Sequence, residues 1–503
     1  MKPGIKTRIT ALTVLLTICY LTPGIAQQDN TLFYMHKIPQ SNFANPAVIS
    51  ECKFHIGGFI VPVTGQILAP VYINYSNSSF AFSDVIFYGT GDYSDSLIHP
   101  LHENAYQSGK YDDFMNKQRD KNFINFDFNI NLLNAGLKIK DWYFTLNVTE
   151  KADFRFEFSK DLIHFLARGN EDAYGRTLDM RYNLQVKHYR EYMIGAARPF
   201  TEDLVLGAHF KCLFGKSNIQ MRDNYLRLYT DPIYWTWSLQ ANNDLSVSMP
   251  AFDVTDFHID YEKDSFAFDI DSTKLPLNDS LDISFSELDP KGYMLNRKNF
   301  GFGIDLGGIY KVTDRLKIHA SLLDVGFIYW RTNPETFTSA GTYHFEGIDV
   351  NPYITNSDTN YIDEVLKDSL IRIFEPVNSG KPYATSLTPK FYLGATYKLH
   401  DLITVGILYR SLLYDRDIHS SLTISGVSDI KHWLSASLSY SVNNNHFANI
   451  GMGLYIRGSF FQFFLVTDNI LAAFFPDRTR NINFRMGCNM AFGCYHKTES
   501  TMF

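Results

Sequence analysis

A strict two-residue alternation of apolar and polar side chains constrains this chain most, and it recurs in segments of roughly ten residues along much of the sequence. The last segment is the cleanest: Ile482, Phe484, Met486, Cys488, Met490, Phe492 and Cys494 alternate with Asn483, Arg485, Gly487, Asn489, Ala491 and Gly493. The same pattern sets Leu434, Ala436, Leu438 and Tyr440 against Ser435, Ser437, Ser439 and Ser441, and Phe126, Phe128, Ile130 and Leu132 against Asp127, Asn129 and Asn131. Further copies place Gly301, Gly303 and Asp305 between Phe300, Phe302, Ile304 and Leu306, and Gly451, Gly453 and Arg457 beside Ile450, Met452, Leu454 and Ile456. A helix repeats every 3.6 residues, so this period belongs to strands. Segments of roughly 9 to 11 residues suffice for a tilted strand to cross a bilayer, whereas soluble strands are usually nearer five or six. A soluble secreted propeller or sandwich is therefore disfavoured.

After residue 26 no uninterrupted apolar stretch reaches the roughly 18 residues of a membrane-spanning helix; the nearest, Phe460 to Phe475, is broken by Gln462, Asp468 and Asn469. In lipid every backbone donor and acceptor must be paired, which strands achieve only by closing on themselves. The expected fold is all-β: a closed antiparallel transmembrane β-barrel of about 14 strands, with up to 16 compatible, and short helices in the N-terminal and loop regions. Short polar turns at Lys140 to Trp142, Phe200 to Asp203, Val312 to Arg315 and Leu399 to Asp401 join strands as hairpins. Long loops are expected near 242–297 and 331–389, so short turns lie at one end and long loops at the other, the short ones being periplasmic. Trp142, Trp235, Trp237, Trp330 and Trp433 all fall near strand ends, as an interfacial aromatic girdle requires. Ser159 is placed to cap a helix over Lys160 to Arg168, and a second short helix is expected from Tyr361 to Ile371.

The start of the chain reads as a cleavable signal peptide over 1–26. Lys2, Lys6 and Arg8 precede an apolar run from Ala11 to Leu21, and Gly24 and Ala26 supply the small residues of a cleavage site. Ile18, ahead of Cys19, is too bulky for a lipoprotein signal. Residues 27–52 show no strand period and read as an N-terminal plug or periplasmic segment; 53–503 read as the barrel. This places the protein in the outer membrane of a Gram-negative bacterium, with membrane lipid around it. Removing the three leader cations takes the formal charge from −7 to −10, which argues against a nucleic-acid partner. The four later cysteines, Cys52, Cys212, Cys488 and Cys494, read as too few and too scattered for a disulfide framework or metal site, and Cys488 and Cys494 lie too far apart along one strand to pair with each other.

Catalytic signatures are absent: the chain has no HExxH, GxSxG or Walker loop, and no catalytic, cofactor or metal site is assigned. His99 and His102 sit at a ligand-like spacing without an identifiable third ligand. Asn356, Asp358 and Asn360 imitate a calcium loop, but Tyr361 and Lys367 occupy the positions needing Gly and Glu. Acids from Asp253 to Asp271 fit a solvated loop. Arg410, Arg457 and Arg485 fall on the polar phase of late strands, as Asp127 and Asp305 do on earlier ones. All five are expected to face the lumen and to compensate one another or a plug.

Ile38 to Asn42 with Asn45, Pro46 and Ala47, the segment Asp324 to Trp330, the turn Val466 to Asn469 and the strand Arg485 to Asn489 together resemble a family of outer-membrane proteins of uncharacterised function. That family is similar to FadL-type and PorV-type barrels. The FadL resemblance implies a 14-stranded barrel that admits hydrophobic molecules and carries an N-terminal plug, with Asn45, Pro46 and Ala47 as its motif. The PorV resemblance implies a secretion-associated barrel that binds other proteins. Two functions of nearly equal weight follow: passive transport of small hydrophobic or amphipathic molecules, or a structural or secretion-system role through protein partners. A barrel enzyme acting on lipid ranks well behind.

Overall fold

The computed structural model describes residues 29–58, 69–249, 254–260, 265–270, 290–347, 374, 376–414, 417–443 and 446–494. The expected signal peptide, the expected helix from Tyr361, the Asn356 motif, Asp253, Asp264, Asp271 and the tail from Tyr495 lie outside these residues.

Twenty antiparallel strand segments form one sheet. The first two, β1 (Cys52–Gly57) and β2 (Val71–Asn77), are halves of a single stave. Both pair with β3 (Lys121–Ile139) on one side and with the last strand, β20 (Asn481–Cys494), on the other. From β3 the ladder runs through β4 (Trp142–Ser159), β5 (Thr177–Pro199) and β6 (Leu204–Met221). It crosses β9 (Phe300–Lys311) and β10 (Leu316–Trp330) to a stave in two pieces, β13 (Tyr383–Ser386) and β14 (Lys390–His400). Then β15 (Ile403–Tyr414), β16 (Asp417–Lys431), β17 (Leu434–Asn443), β18 (His446–Gly458) and β19 (Phe461–Thr467) lead back to β20.

That circuit has fourteen staves. Two further strands, β8 (Trp237–Ser248) and β11 (Pro334–Phe345), pair with each other and join the wall at its long-loop rim through the end of β6, making sixteen; β7 (Tyr225–Thr230) and β12 (Val377–Ser379) flank them. The closed antiparallel barrel is thus as expected, with two strands drawn from stretches read as loops. Their Ser, Thr and Asn content hides them, because a strand standing above the lipid needs no apolar outer row.

Outward side chains along the circuit form the apolar band, with Leu206, Phe210, Phe302, Ile304, Leu393, Ile407, Ile424, Leu438 and Met486 between 41 and 62 % exposed. Inward positions are small or polar: Ser435, Ser437, Ser439 and Ser441 are all buried. Among the described residues no helix is long and apolar enough to cross a membrane.

The aromatic girdle needs correction at Trp235 and Trp237, which stand at the outer end of the rim strand β8, and at Trp330. Trp142 and Trp433 are exposed at short turns, but Trp330 is fully buried inside, packed with Tyr189, Leu213, Ile328 and Leu387. Gly215 leaves room for its ring, and the indole N–H donates to Thr385 Oγ1 at 2.9 Å. Two of the four cysteines read as too scattered do meet: Cys52 and Cys494, 442 positions apart, are disulfide-bonded across the β1/β20 seam, where they stand directly opposite, while Cys212 and Cys488 are free. Strand closure brings together two residues that no local spacing connects.

Loop helices cover the long-loop end above β2 to β5. The expected helix over Lys160–Arg168 is present; Ser159 Oγ accepts the Leu162 N–H at 3.2 Å and Gly169 ends it at φ 62°. Its Ile163 and Ala167 pack on Tyr111, Phe114 and Met115 of the helix Lys110–Lys117. Burial there pushes the Tyr111 phenol up to about 12. His102 caps the helix Glu103–Gln107, its Nδ1 accepting the Asn104 N–H at 3.1 Å.

Candidate functional site: the barrel interior

The lumen is divided between a filled half at the short-turn end and an open half at the long-loop end. Residues 29–51 fill the first with two 3-10 turns, Leu32–Tyr34 and Pro39–Phe43. Leu32, Met35 and Ile38 pack on Tyr455, Phe464 and Val466; Phe33 stacks on Tyr392 with ring centroids 5.3 Å apart. Polar anchors complete the fit. The Thr31 N–H donates to Asp468 at 2.7 Å, the Tyr34 hydroxyl to the Ile407 carbonyl at 2.7 Å, and Gln40 and Asn489 exchange amide hydrogen bonds at 2.8 and 3.0 Å.

Wall glycines make this contact possible. A methyl group at Gly394 would strike Tyr34, at Gly451 Thr31, and at Gly453 Met35. Asn45, Pro46 and Ala47 lie in this segment against two more such positions, Gly207 and Gly307. Asn45 Oδ1 accepts the Ala47 N–H at 3.0 Å, an Asx turn, and Asn42 donates to the Pro46 and Val48 carbonyls. The turn presents a rigid, small-residue edge to the wall.

The five lumen candidates are all buried. Arg485 meets Asp29 of the N-terminal segment at 2.9 Å, and Arg457 lies near Cys52 Sγ. Arg410 is buried beside Tyr392. Asp127 accepts from Asn74 and Asn125 at 2.7 and 2.8 Å. Asp305 is held by Lys211 at 2.8 Å and by His209 at 3.1 Å.

Lys211 is the hub of a network the sequence reading missed. It contacts Asp305, Asp324 and Glu191; Glu191 also takes Lys151 at 2.9 Å and Asp324 takes Lys390 at 2.9 Å. Asp324 reaches the lumen because β10 bulges there: the register with β9 shifts between Ile304 and Leu306, and Asp324 adopts φ 58°. Asp305 accepts its backbone N–H at 2.7 Å. His209 carries the network to the N-terminal segment, its Nε2 2.8 Å from Asn42 Oδ1. Lys151, Glu191 and Lys211 all occupy inward strand positions, so phase marked them as lumenal; only the fold shows that they meet.

Above this network the lumen opens. A cavity of about 330 Å³ is bounded by Asn183, Gln185, Gln220, Met221, Leu413 and Tyr414. Beneath it a smaller one of about 80 Å³ is lined by Asp127, Lys151, Asp153, Lys187, Asp324 and Lys390, among others. Gln185, Lys187, Leu387, Thr388 and Tyr414 border both. Arg155 lies between the rings of Phe123 and Tyr414 and binds Glu157 at 2.7 Å, so its charge is already met. On the outer wall His188 bridges Glu150 at 2.9 Å and the Tyr293 hydroxyl at 2.6 Å, tethering the loop helix Pro290–Met294.

The sequence pattern described as "Family of unknown function (DUF5723)" matches residues 46–468. The chain belongs to this family. The matched stretch takes in Pro46 and Ala47, both sides of the Lys211 network and the chamber walls. No curated protein matches. Among solved structures, the Ralstonia pickettii toluene transporter TbuX is similar at 9 % identity over 90 % of this chain and 94 % of that one, with a TM-score of 0.39. The P. putida toluene transporter TodX gives 8 % over 91 % and 94 %, TM-score 0.36; a Pseudomonas aeruginosa FadL homologue gives 8 % over the same shares, TM-score 0.34. Likeness at that level is silent on cargo.

Proposed function

We propose that this protein carries small hydrophobic or amphipathic molecules passively across the outer membrane of a Gram-negative bacterium, which it reaches by way of a cleavable signal peptide. One observation carries the reading: a single lumen has an open chamber at its long-loop end and a fitted segment, residues 29–51, at its short-turn end. A purely structural barrel needs no chamber. In this reading the segment is the plug, Asn45, Pro46 and Ala47 seat it against the glycine wall, and passage requires it to shift. Tyr34→Ala removes both an anchoring hydrogen bond and a packed ring, so proteoliposomes bearing the variant should swell faster in a small amphipathic solute than those bearing the parent protein. If neither protein raises permeability above protein-free vesicles, the passage reading is lost.

A second reading, a secretion-associated or structural barrel that binds proteins, draws support from the rim. Ile233, Tyr234 and Trp235 are 73, 76 and 62 % exposed at the turn between β7 and β8, an apolar tip of the kind partners cover. Co-purification of a stoichiometric partner from native membranes, lost in Trp235→Ser, would favour it; an unchanged set of partners would count against it.

A further inference from the structure

The inward row that crosses the chamber floor contains an exception to the charge pairing around it. In register across neighbouring staves stand Asn74, Asp127, Asp153, Lys187 and Asn218. Asp153 and Lys187 are direct cross-strand partners, a position at which opposite charges ordinarily meet. They form no ion pair within 4.0 Å. Lys187, buried at 3 % exposure, donates one hydrogen bond, to the Ser386 carbonyl at 2.8 Å, and Asp153 has neither hydrogen bond nor ion pair to any described residue. Nearby cations behave differently: Lys151, Lys211, Lys390 and Arg155 each hold a carboxylate within 3 Å. An ammonium and a carboxylate, one residue pair apart, are thus left facing the same small cavity.

We propose that the chamber binds a compact zwitterion with an apolar body, of the size of a free amino acid or dipeptide, its carboxylate on Lys187 and its ammonium on Asp153. The shape of the space agrees. The lower cavity, about 80 Å³, admits a headgroup and little more, while the adjoining 330 Å³ above it, bordered by Leu184, Met221, Leu387, Pro389, Leu413 and Tyr414, takes a short body. That upper volume is at the small end of ligand pockets. Charge agrees as well. A wholly apolar ligand would strip water from both ions without replacing it, and a simple anion or cation would satisfy one and strand the other. A molecule carrying both charges satisfies the two together and leaves the balance of the surrounding network unchanged.

The proposal deepens the passage reading by naming the head of the cargo, but it is tested on binding alone. Detergent-folded full-length protein is titrated calorimetrically with L-leucine, with N-acetyl-L-leucine, which lacks the ammonium, and with L-leucinamide, which lacks the carboxylate. Leucine should bind at least roughly tenfold more tightly than either analogue. Asp153→Asn should abolish the preference over the acetylated analogue and Lys187→Met the preference over the amide, each leaving the other preference in place. Heat-modifiable migration on gels establishes that both variants are folded, and Lys187→Gln serves if the methionine variant is not. Equal binding of all three compounds, binding of none at millimolar concentration, or variants that discriminate as the parent does would each overturn the assignment. Since no membrane is involved, failure of solutes to cross proteoliposomes would remove the passage reading and leave this result standing.

Discussion

The two halves of the lumen are built from the same staves yet solve opposite problems. At the short-turn end the wall presents glycine and serine, and a foreign segment comes close enough that Tyr34, Thr31 and Met35 occupy the space of missing side chains. At the long-loop end the wall presents lysine, aspartate and amides around open volume. Packed interiors exclude unpaired charge because burying it is costly; a water-filled interior tolerates it. Glycine and serine in an inward row let the segment come close, and charges on that side, such as Arg485 and Asp468, are met by Asp29 and Thr31 of the segment itself. The Lys211 network lies on the boundary, touching the chamber through Asp324 and Lys390 and the segment through His209 and Asn42.

Breaking that boundary should have the largest effect. Lys211→Met leaves Asp305 and Asp324 buried without their shared cation, and removing one partner of a buried pair costs about 3 to 5 kcal/mol. Urea titration of the refolded barrel should show that loss, and a midpoint unchanged from the parent protein would mean that the lumen solvates these carboxylates. The packed half is sharpened by a matched pair. Gly394→Ala forces a methyl group onto Tyr34 and should cost about 1 to 3 kcal/mol, whereas Gly426→Ala, with nothing within 4 Å of the new carbon, should stay within about 0.5 kcal/mol. Protease sensitivity near residue 29 should rise only in the first; equal behaviour of the two would show that the segment is not tightly seated. The open half should be the most forgiving. Gln185→Ala removes the acceptor of the Tyr414 hydroxyl, at 2.7 Å, beside open volume where water can substitute, so a loss of about 1 kcal/mol or less is expected by the same titration.

What the sequence discloses and what it withholds follow from range. Alternation is a local property that lipid enforces on every stave, so the barrel, its hairpin turns and the phase of Arg410, Arg457, Arg485, Asp127 and Asp305 can be read directly. Contacts between distant staves leave no such trace. Gly451 and Gly453 are visible as small inward residues, but that Thr31 and Met35 press on them is a property of closure. The bulge that turns Asp324 inward interrupts the very alternation used to assign phase. Trp330 stands at a strand end, as a girdle residue does, yet its ring lies inside, in room left by a glycine two staves away. The pairing of Asp305 with Lys211 and His209, and of Arg485 with Asp29, depends on which rows come level around the ring, which the register alone determines.

The bond between Cys52 and Cys494 makes the wall a hoop in the covalent sense as well as the hydrogen-bonded one. An open ladder can part at its seam and peel from either edge, whereas a riveted hoop has no edge from which to start. Even after every ladder has melted, the oxidised polypeptide keeps a closed loop from Cys52 to Cys494, more compact than the reduced thread and separable from it on a denaturing gel. The bond stands at the short-turn end, directly after the segment that fills the lumen there, so it pins the start of the wall beside that segment to the end of the last stave.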